Sequence, residues 1–180
     1  MSTETLTERA GLVTARGNPL TLLGPSLKAG DAAPETHLIA ADMSVKTLDA
    51  LTDGGKRAAL LIVVPSLDTG TCSLESQKFN TRIGELPAGV TAYVVSMDLP
   101  FAMTRWGTEQ GDMKLEMLSD YRNHAFGRDY GVRIKETGLL ARSIVVVGAD
   151  KRIAYFAIVP ELTAEPNYDE AIKAAQASAK

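Results

Sequence analysis

The longest uninterrupted run of hydrophobic residues lies at 58–64, with the sequence AALLIVV. Such a run, rich in branched side chains, is typical of a strand that is buried on both faces of a parallel or mixed sheet. Pro65 ends it, a turn sequence follows at 87–89, and a second apolar run occupies 90–97. Mixed helical spacing of apolar residues predicts a helix over 72–86 between the two runs. We therefore expect a β-α-β unit with parallel strands.

Weaker hydrophobic patterns predict the elements around this unit. LVTARGNPLTLL at 12–23 places apolar runs on either side of a turn sequence, which indicates an N-terminal β-hairpin appended to the core. Arg142–Gly148 and Arg152–Pro160 predict a second hairpin. The other predicted elements are strands at 37–41, 45–48 and 115–118, a loop at 50–56, and helices at 121–130 and 167–178. Together they predict a single α/β domain over residues 1–180, with a mixed central sheet flanked by helices.

Composition and charge limit the classes of protein and of partner that we expect. A chain of 180 residues with 45% hydrophobic and 23% charged residues can bury a core without disulfides or metals. It has no apolar stretch of about 18 residues and no basic region followed by a long apolar run, so we expect a soluble cytoplasmic protein. The net charge is −3 and no Lys/Arg cluster is present. Nucleic acid and membranes are therefore not expected partners.

The sequence predicts no metal or cofactor site. His37 and His124 are far apart, and neither has a metal-ligand spacing with the other or with Cys72. Phosphate-binding loops of the GxGxxG and GxxxxGK[ST] types and the GxSxG elbow are absent. Cys72 is the only cysteine, so it cannot form a disulfide within the chain, which fits a reducing compartment. This thiol is the main chemical candidate.

Cys72 follows the central strand at its carboxyl end, where ligands bind in open α/β sheets. A thiol reacts as its thiolate, which nearby positive charge favours. We expect that charge from the first turn of the helix predicted to begin at Cys72 and from Arg142, at the start of an apolar strand. The alternatives are that Cys72 is a small core hydrophobe and that Arg142 caps its strand at the solvent edge.

Thr69 and Gly70 precede Cys72 and suggest a place for a small ligand. Gly70 lets the backbone approach such a ligand closely, and the Thr69 hydroxyl can accept one hydrogen bond and donate another. Asp68, Thr69 or Gly70 would also serve as the helix N-cap. The two roles are compatible.

The segment PSLDTGTC, at residues 65–72, resembles the Pro-x-x-x-Thr-x-x-Cys active-site motif of the peroxiredoxins. Together with SMDLPFAMTR, at residues 96–105, it is similar to the bacterial thiol peroxidase subfamily. Further similar segments occur in the expected order along nearly the whole chain: RGNPLTL, LKAGDAAP, GLLARSIVVV and ELTAEPNYDEAI.

This resemblance implies a thioredoxin-like fold with an N-terminal hairpin and a thiol peroxidase that acts on hydrogen peroxide and small organic hydroperoxides. Cys72 would attack the peroxide and become a sulfenic acid. Pro65 would shield the pocket, the Thr69 hydroxyl and the Cys72 amide would position the peroxide, and Arg142 would stabilise the thiolate and polarise the peroxide. The resemblance implies no cofactor, and it suggests a homodimer packed through surfaces near the active site.

The sequence departs from this subfamily at Gly107, where a second, resolving cysteine is expected. An internal disulfide cannot form, so an external thiol such as thioredoxin or a low-molecular-weight thiol is the favoured reductant of Cys72. Two subunits joined through Cys72, or a sulfenic acid that is itself a signal, are the other outcomes. Trp106, beside Gly107, is expected to pack in the core, and its fluorescence would report oxidation if it lies near Cys72.

Two other function classes remain at this point. A peroxide sensor or thiol relay would be oxidised at Cys72 and pass the oxidation to a partner with little turnover. An inert thioredoxin-fold binding module would keep Cys72 as a structural thiol. A thioredoxin-type oxidoreductase is disfavoured because the chain has no CxxC sequence.

Overall fold

The computed structural model describes residues 6–179. The strands in this part of the chain are β1 (Glu8–Ala15), β2 (Asn18–Leu23), β3 (Leu38–Ile39), β4 (Val45–Lys46), β5 (Ala58–Val63), β6 (Val90–Ser96), β7 (Glu116–Ser119), β8 (Arg133–Ile134), β9 (Ser143–Val147) and β10 (Ile153–Ile158). The α-helices are α1 (Leu48–Leu51), α2 (Gly70–Arg82), α3 (Pro100–Gln110), α4 (Ala125–Asp129) and α5 (Tyr168–Ala177), and a 3-10 helix at Ile83–Glu85 follows α2. The main sheet has seven strands in the order β10-β9-β5-β6-β7-β3-β4.

The predicted β-α-β unit forms the centre of this sheet. β5 and β6 are parallel, in a register that runs from Ala58 opposite Val90 to Val63 opposite Val95, and α2 connects them. Every residue of β5 is buried, as a continuous apolar run requires. The antiparallel strand β9 pairs with the other side of β5 and with β10. The sheet is therefore mixed, and the predicted hairpin at its edge is confirmed.

Alternate residues of β5 face two separate layers of the core. Ala58, Leu60 and Ile62 belong to one buried cluster, together with side chains of α2, α3 and α5. Ala59, Leu61 and Val63 belong to the other, together with side chains of α1, α4 and the N-terminal hairpin. Among residues 6–179 no helix is long and apolar enough to cross a membrane.

The N-terminal hairpin is confirmed, but it is longer and more deeply packed than the sequence predicts. Its first strand begins at Glu8, and β2 pairs with the short strand β8, which the sequence did not reveal. Val13 and Leu22 are fully buried in the core. The expectation that the hairpin is an appendage is wrong, because its inward-facing apolar side chains complete one layer of the domain.

The largest element that the sequence pattern did not predict is α3. Pro100 occupies its first turn, where a missing amide hydrogen costs nothing. The buried residues of α3 are Pro100, Met103, Trp106 and Gly107, a narrow stripe at helical spacing. Phe101 is exposed and Gly107 has low helix propensity, so both weaken the local signal.

Other boundaries also differ from the prediction, and the strands predicted at 37–41 and 45–48 are reduced to β3 and β4. The predicted loop at 50–56 overlaps the single-turn helix α1, which Thr47 caps by accepting a hydrogen bond from the amide of Ala50. The predicted helix at 121–130 is reduced to α4, because His124 has a left-handed backbone with φ 54°. The carboxylate of Asp120 accepts the amides of the first turn of α4 and thereby fixes its start.

Gly131 should be intolerant of any side chain, because the segment that follows β2 approaches it closely. Its φ is +66°, and a Cβ atom would lie 2.0 Å from the carbonyl oxygen of Pro25. We expect Gly131→Ala to lower the free energy of unfolding by about 2–5 kcal/mol, through backbone strain and displacement of Pro25. Urea denaturation measures this loss.

Gly138→Ala is the matched control, since Gly138 has φ +71° and no atom within 4 Å of the added Cβ. It should cost only the conformational strain of about 1–2 kcal/mol. Equal losses in the two variants would show that the close approach of Pro25 contributes nothing.

Candidate active site

A cavity of about 340 Å³ opens at the carboxyl end of β5. All four residues that the sequence singles out, Pro65, Thr69, Cys72 and Arg142, line it. The remaining lining residues are Arg16, Gly70, Thr71, Leu162 and Thr163. The fold thus brings together residues that are far apart along the chain, from Arg16 in the N-terminal hairpin to Thr163 in the loop after β10.

The loop after β5 is fixed by the carboxylate of Asp98, which follows β6. One oxygen of Asp98 accepts the Ser66 hydroxyl at 2.7 Å, and the other accepts the Leu67 amide at 2.7 Å. Pro65 itself is buried. Since β5 and β6 are parallel neighbours, their carboxyl ends lie side by side, and this carboxylate ties the two loops together.

Helix α2 begins at Gly70, two residues earlier than predicted, so Cys72 is its third residue. Thr69 is the N-cap by position, but its hydroxyl donates to the carbonyl of Ser66 at 3.0 Å and makes no capping hydrogen bond. The hydrogen-bond ladder starts with the Ser73 amide and the Thr69 carbonyl. The amides of the first turn therefore leave partial positive charge beside the Cys72 side chain.

Arg142 and Cys72 are in direct contact. The Nη2 atom of Arg142 lies 3.2 Å from Sγ of Cys72, and each residue is only 1% exposed. The alternative in which Arg142 caps its strand at the solvent edge is wrong, because its guanidinium points inward beneath the cavity. The guanidinium is thus placed to donate a hydrogen bond to the sulfur and to charge that develops beside it.

Glu75 is part of this cluster and was missed by sequence reasoning. The Nη1 atom of Arg142 donates to one carboxylate oxygen of Glu75, which is fully buried. The other oxygen of Glu75 has no hydrogen-bond partner among the described residues. Burial raises the pKa of Glu75 to about 7, although Arg142 opposes the shift. The signal that could have found it is its position three residues after Cys72, on the same face of α2.

Arg142 is held from a third side by the loop that follows β10. The carbonyl oxygen of Leu162 accepts Nη2 at 2.9 Å and Nε at 3.2 Å. This fixes the plane of the guanidinium, since a fork of donors has only one orientation that satisfies all its acceptors. The sequence gives no sign of this contact, because a backbone carbonyl carries no residue-specific signal.

The carboxylate of Glu161 holds that loop against the turn of the N-terminal hairpin. It accepts the Arg16 amide at 3.0 Å, the Gly17 amide at 3.1 Å and the Thr14 hydroxyl at 2.8 Å. It also accepts the amide and hydroxyl of Thr163. These hydrogen bonds, led by that from the Thr163 hydroxyl, hold the pKa of Glu161 well below its usual range. We call this cluster around Glu161 the carboxylate clamp.

Trp106 and Gly107 lie on the neighbouring helix α3. The indole of Trp106 is buried in the same cluster as Cys72, and its nitrogen donates to Oγ of Ser73 at 3.2 Å. Trp106 therefore packs in the core and also contacts the residue next to Cys72. Gly107 is buried, and a Cβ atom there would lie 2.7 Å from Cε of Met117. The Met117 side chain thus fills the space beside Gly107.

Comparisons with known proteins identify the class to which this fold and site belong. The sequence profile of the Redoxin family matches residues 28–172. The crystal structure of a peroxiredoxin-like protein from Aquifex aeolicus superposes with a TM-score of 0.85 at 37% identity, and the match covers 96% of this chain and 98% of that one. The chain belongs to the Redoxin family, and the predicted thioredoxin-like fold is confirmed.

Relatives within this family show which kind of member the chain is similar to in sequence. The thiol peroxidase of Halalkalibacterium halodurans is 44% identical over 92% of this chain and 98% of its own length. That of Streptococcus pneumoniae is 45% identical over 92% of this chain and 99% of its own length. The chain is a homologue of the bacterial thiol peroxidases, as residues 65–72 indicate, and this homology supports cysteine-dependent reduction of peroxide.

Glu75 should make stability depend on pH. The unfolded carboxyl loses its proton near 4.5, whereas the folded one keeps its proton up to about 7. Between these values the folded state binds more protons, so the free energy of unfolding should fall as the pH rises. Glu75→Gln removes this titration. The decrease in the free energy of unfolding from pH 5 to pH 8 should therefore be smaller in the variant than in the wild type, by an amount on the order of 1–3 kcal/mol.

Urea denaturation of both proteins at pH 5 and pH 8 measures the difference. The subtraction removes the contribution of every other titrating group, including Glu161, whose lowered pKa acts in the opposite sense at acid pH. Parallel pH profiles for the two proteins would show that Glu75 stays ionised in the folded state.

Proposed function

We propose that this protein is a one-cysteine thiol peroxidase that reduces hydrogen peroxide and small organic hydroperoxides at Cys72. The observation that carries the proposal is the 3.2 Å contact between Nη2 of Arg142 and Sγ of Cys72 at the floor of the cavity. Burying a guanidinium costs desolvation free energy, which packing alone would not offset. Its position against a lone thiol is explained if it stabilises a reactive thiolate.

The reaction forms one bond and breaks another. The Cys72 thiolate attacks one peroxide oxygen in line with the O–O bond, so an S–O bond forms as the O–O bond breaks. Sulfur gives up two electrons and becomes a sulfenic acid, and the departing hydroxide or alkoxide takes a proton to give water or an alcohol. Arg142 and the first-turn amides of α2 stabilise the charge that develops on the oxygens.

Thr69 and Pro65 act on the substrate and the solvent, respectively. The Thr69 hydroxyl already donates to the Ser66 carbonyl, which leaves its oxygen free to accept a hydrogen bond from the peroxide. The amide of Cys72 is the matching donor. Pro65 is buried, carries no backbone N–H and lines the cavity, so it keeps water from the thiolate without competing for the peroxide.

An external thiol restores Cys72. Its thiolate attacks the sulfenic sulfur, hydroxide leaves, and a mixed disulfide forms. A second thiolate then attacks this disulfide and releases the Cys72 thiolate. The reductant is thioredoxin or a low-molecular-weight thiol, because the chain has no second cysteine. A supply of such thiols suits the cytoplasm, where we expect the protein to act.

A peroxide sensor or thiol relay is the second candidate. The observation that favours it is the same lack of a second cysteine, since the sulfenic acid persists until another molecule arrives. In that function Cys72 is oxidised as readily as in the peroxidase, but small thiols support few turnovers.

The protein also assembles as a homodimer in this proposal. Helices α2 and α3 lie side by side, joined by the contact between Trp106 and Ser73. They carry the exposed apolar side chains of Leu74 and Phe101, the latter 68% exposed. Isolated apolar side chains are common on surfaces, but two on adjacent helices near the cavity support an interface there.

Oxidation by one equivalent of hydrogen peroxide tests the chemistry, with intact mass and dimedone trapping as the primary readout. We expect a dimedone adduct in the wild type and none in Cys72→Ser. The double variant Arg142→Met, Glu75→Gln should react roughly 100-fold more slowly, since it lacks the donor to the developing charge. The double change removes both buried charges and so avoids an unpaired carboxylate. Thermal unfolding checks that it remains folded.

Trp106 emission can follow the rate, because this single tryptophan contacts the residue beside Cys72. Peroxide consumption with added thiols then separates the two candidates. Sustained turnover supports the peroxidase, and adduct formation without turnover supports the sensor or relay. Absence of an adduct within minutes would rule out both functions.

The dimer is tested by sedimentation velocity. Phe101→Glu should convert the dimer to monomer, because a charge cannot be buried unpaired in an apolar interface. Val45→Glu, an exposed apolar residue on the edge strand β4, is the control and should leave the dimer intact. A wild-type monomer, or equal dissociation in both variants, contradicts the proposed interface.

A further inference from the structure

One wall of the cavity comes from outside the central sheet. The turn of the N-terminal hairpin contributes Arg16, and the loop after β10 contributes Leu162 and Thr163. Cys72 lines the same cavity, so a peroxide or a thiol that enters it lies close to this wall. The side chains on it are therefore in a position to select among reductants.

The carboxylate clamp fixes the backbone of Arg16. The Arg16 amide donates to Glu161, and its φ of 50° is a conformation that the turn imposes. The neighbouring Gly17 amide donates to the same carboxylate. These two hydrogen bonds to one carboxylate hold the turn at the mouth of the cavity, so the Arg16 side chain starts from a defined point at its edge.

The Arg16 guanidinium is a free positive charge at this mouth. Arg16 is exposed, and its side chain has no hydrogen bond or ion pair to any of the described residues. The acidic groups around it are already engaged. Glu161 is saturated by backbone amides and hydroxyls, and Asp68, just before Thr69, forms an ion pair with Arg105 at 3.3 Å. Inside the cavity, Arg142 is shared between Glu75 and Cys72.

We propose that Arg16 binds the carboxylate of a negatively charged low-molecular-weight thiol and guides it to the oxidised Cys72. This inference rests on the proposed peroxidase function and names the chemical class of its reductant. The bonds formed and broken are those of the recycling step above. Arg16 touches only the carboxylate of the thiol, so it acts on selection among thiols and not on the sulfur chemistry.

The first test needs no peroxide. Reduced protein is mixed with 3,3′-dithiodipropionate, which is negatively charged, or with neutral 2-hydroxyethyl disulfide, and formation of the mixed disulfide at Cys72 is followed by intact mass. The selectivity of each protein is its rate with the charged disulfide divided by its rate with the neutral one. A substitution that changes the reactivity of the Cys72 thiol alone changes both rates equally and leaves this ratio unchanged. It should fall roughly threefold to fivefold in Arg16→Gln, about the effect of one exposed charge pair, and further in Arg16→Glu.

Lys56→Gln is the matched control, because it removes one exposed positive charge at the opposite end of β5 from Cys72. It should retain the wild-type selectivity. Salt at 0.5 M should reduce the selectivity of the wild type toward that of Arg16→Gln, since exposed charges are screened at that concentration. Equal selectivity in the wild type, Arg16→Gln and Lys56→Gln would overturn the inference.

The second test repeats the comparison on the sulfenic acid, with 3-mercaptopropionate and 2-mercaptoethanol as reductants. The same fall in selectivity in Arg16→Gln is expected. If peroxide fails to oxidise Cys72, the proposed function is wrong, while the disulfide measurement still decides the role of Arg16. If Cys72 is oxidised and the selectivity does not change, the function stands and Arg16 has no part in choosing the reductant.

Discussion

The buried guanidinium of Arg142 is the constraint around which the site is organised. It is 1% exposed, and its five N–H donors need acceptors that water cannot supply. Three are present: the carboxylate of Glu75, the sulfur of Cys72 and the carbonyl of Leu162. Because these acceptors come from α2 and from the loop after β10, one side chain fixes the relative position of a helix, a strand and a loop.

The same cluster carries an electrostatic conflict. A single cation faces two groups that can each become anionic, and burial already raises the pKa of Glu75 to about 7. A carboxylate and a thiolate beside one guanidinium would leave net negative charge in a dry site, which is costly. A proton on Glu75 would relieve that cost.

Elements remote from the nucleophile complete the site. The N-terminal hairpin buries Val13 and Leu22 in the core and brings Arg16 to the cavity, while Glu161 joins it to the loop that orients Arg142. On the other side, Trp106 contacts Ser73, and Met117 fills the space beside Gly107. The space beside Gly107 is thus filled, while the cavity at Cys72 stays open.

The central β-α-β unit and the family could be predicted from the sequence, which also singled out Cys72 as the candidate nucleophile. Continuous apolar strands and the local spacing of Pro65, Thr69 and Cys72 are short-range patterns, readable without the fold. It did not predict α3, whose apolar stripe is narrow, or the start of α2 at Gly70. The contacts of Arg142 with Cys72 and Glu75, and the position of Arg16 at the cavity, could be seen only in the folded structure. These contacts join residues up to 145 positions apart, as between Arg16 and Glu161, and their geometry depends on how the layers pack.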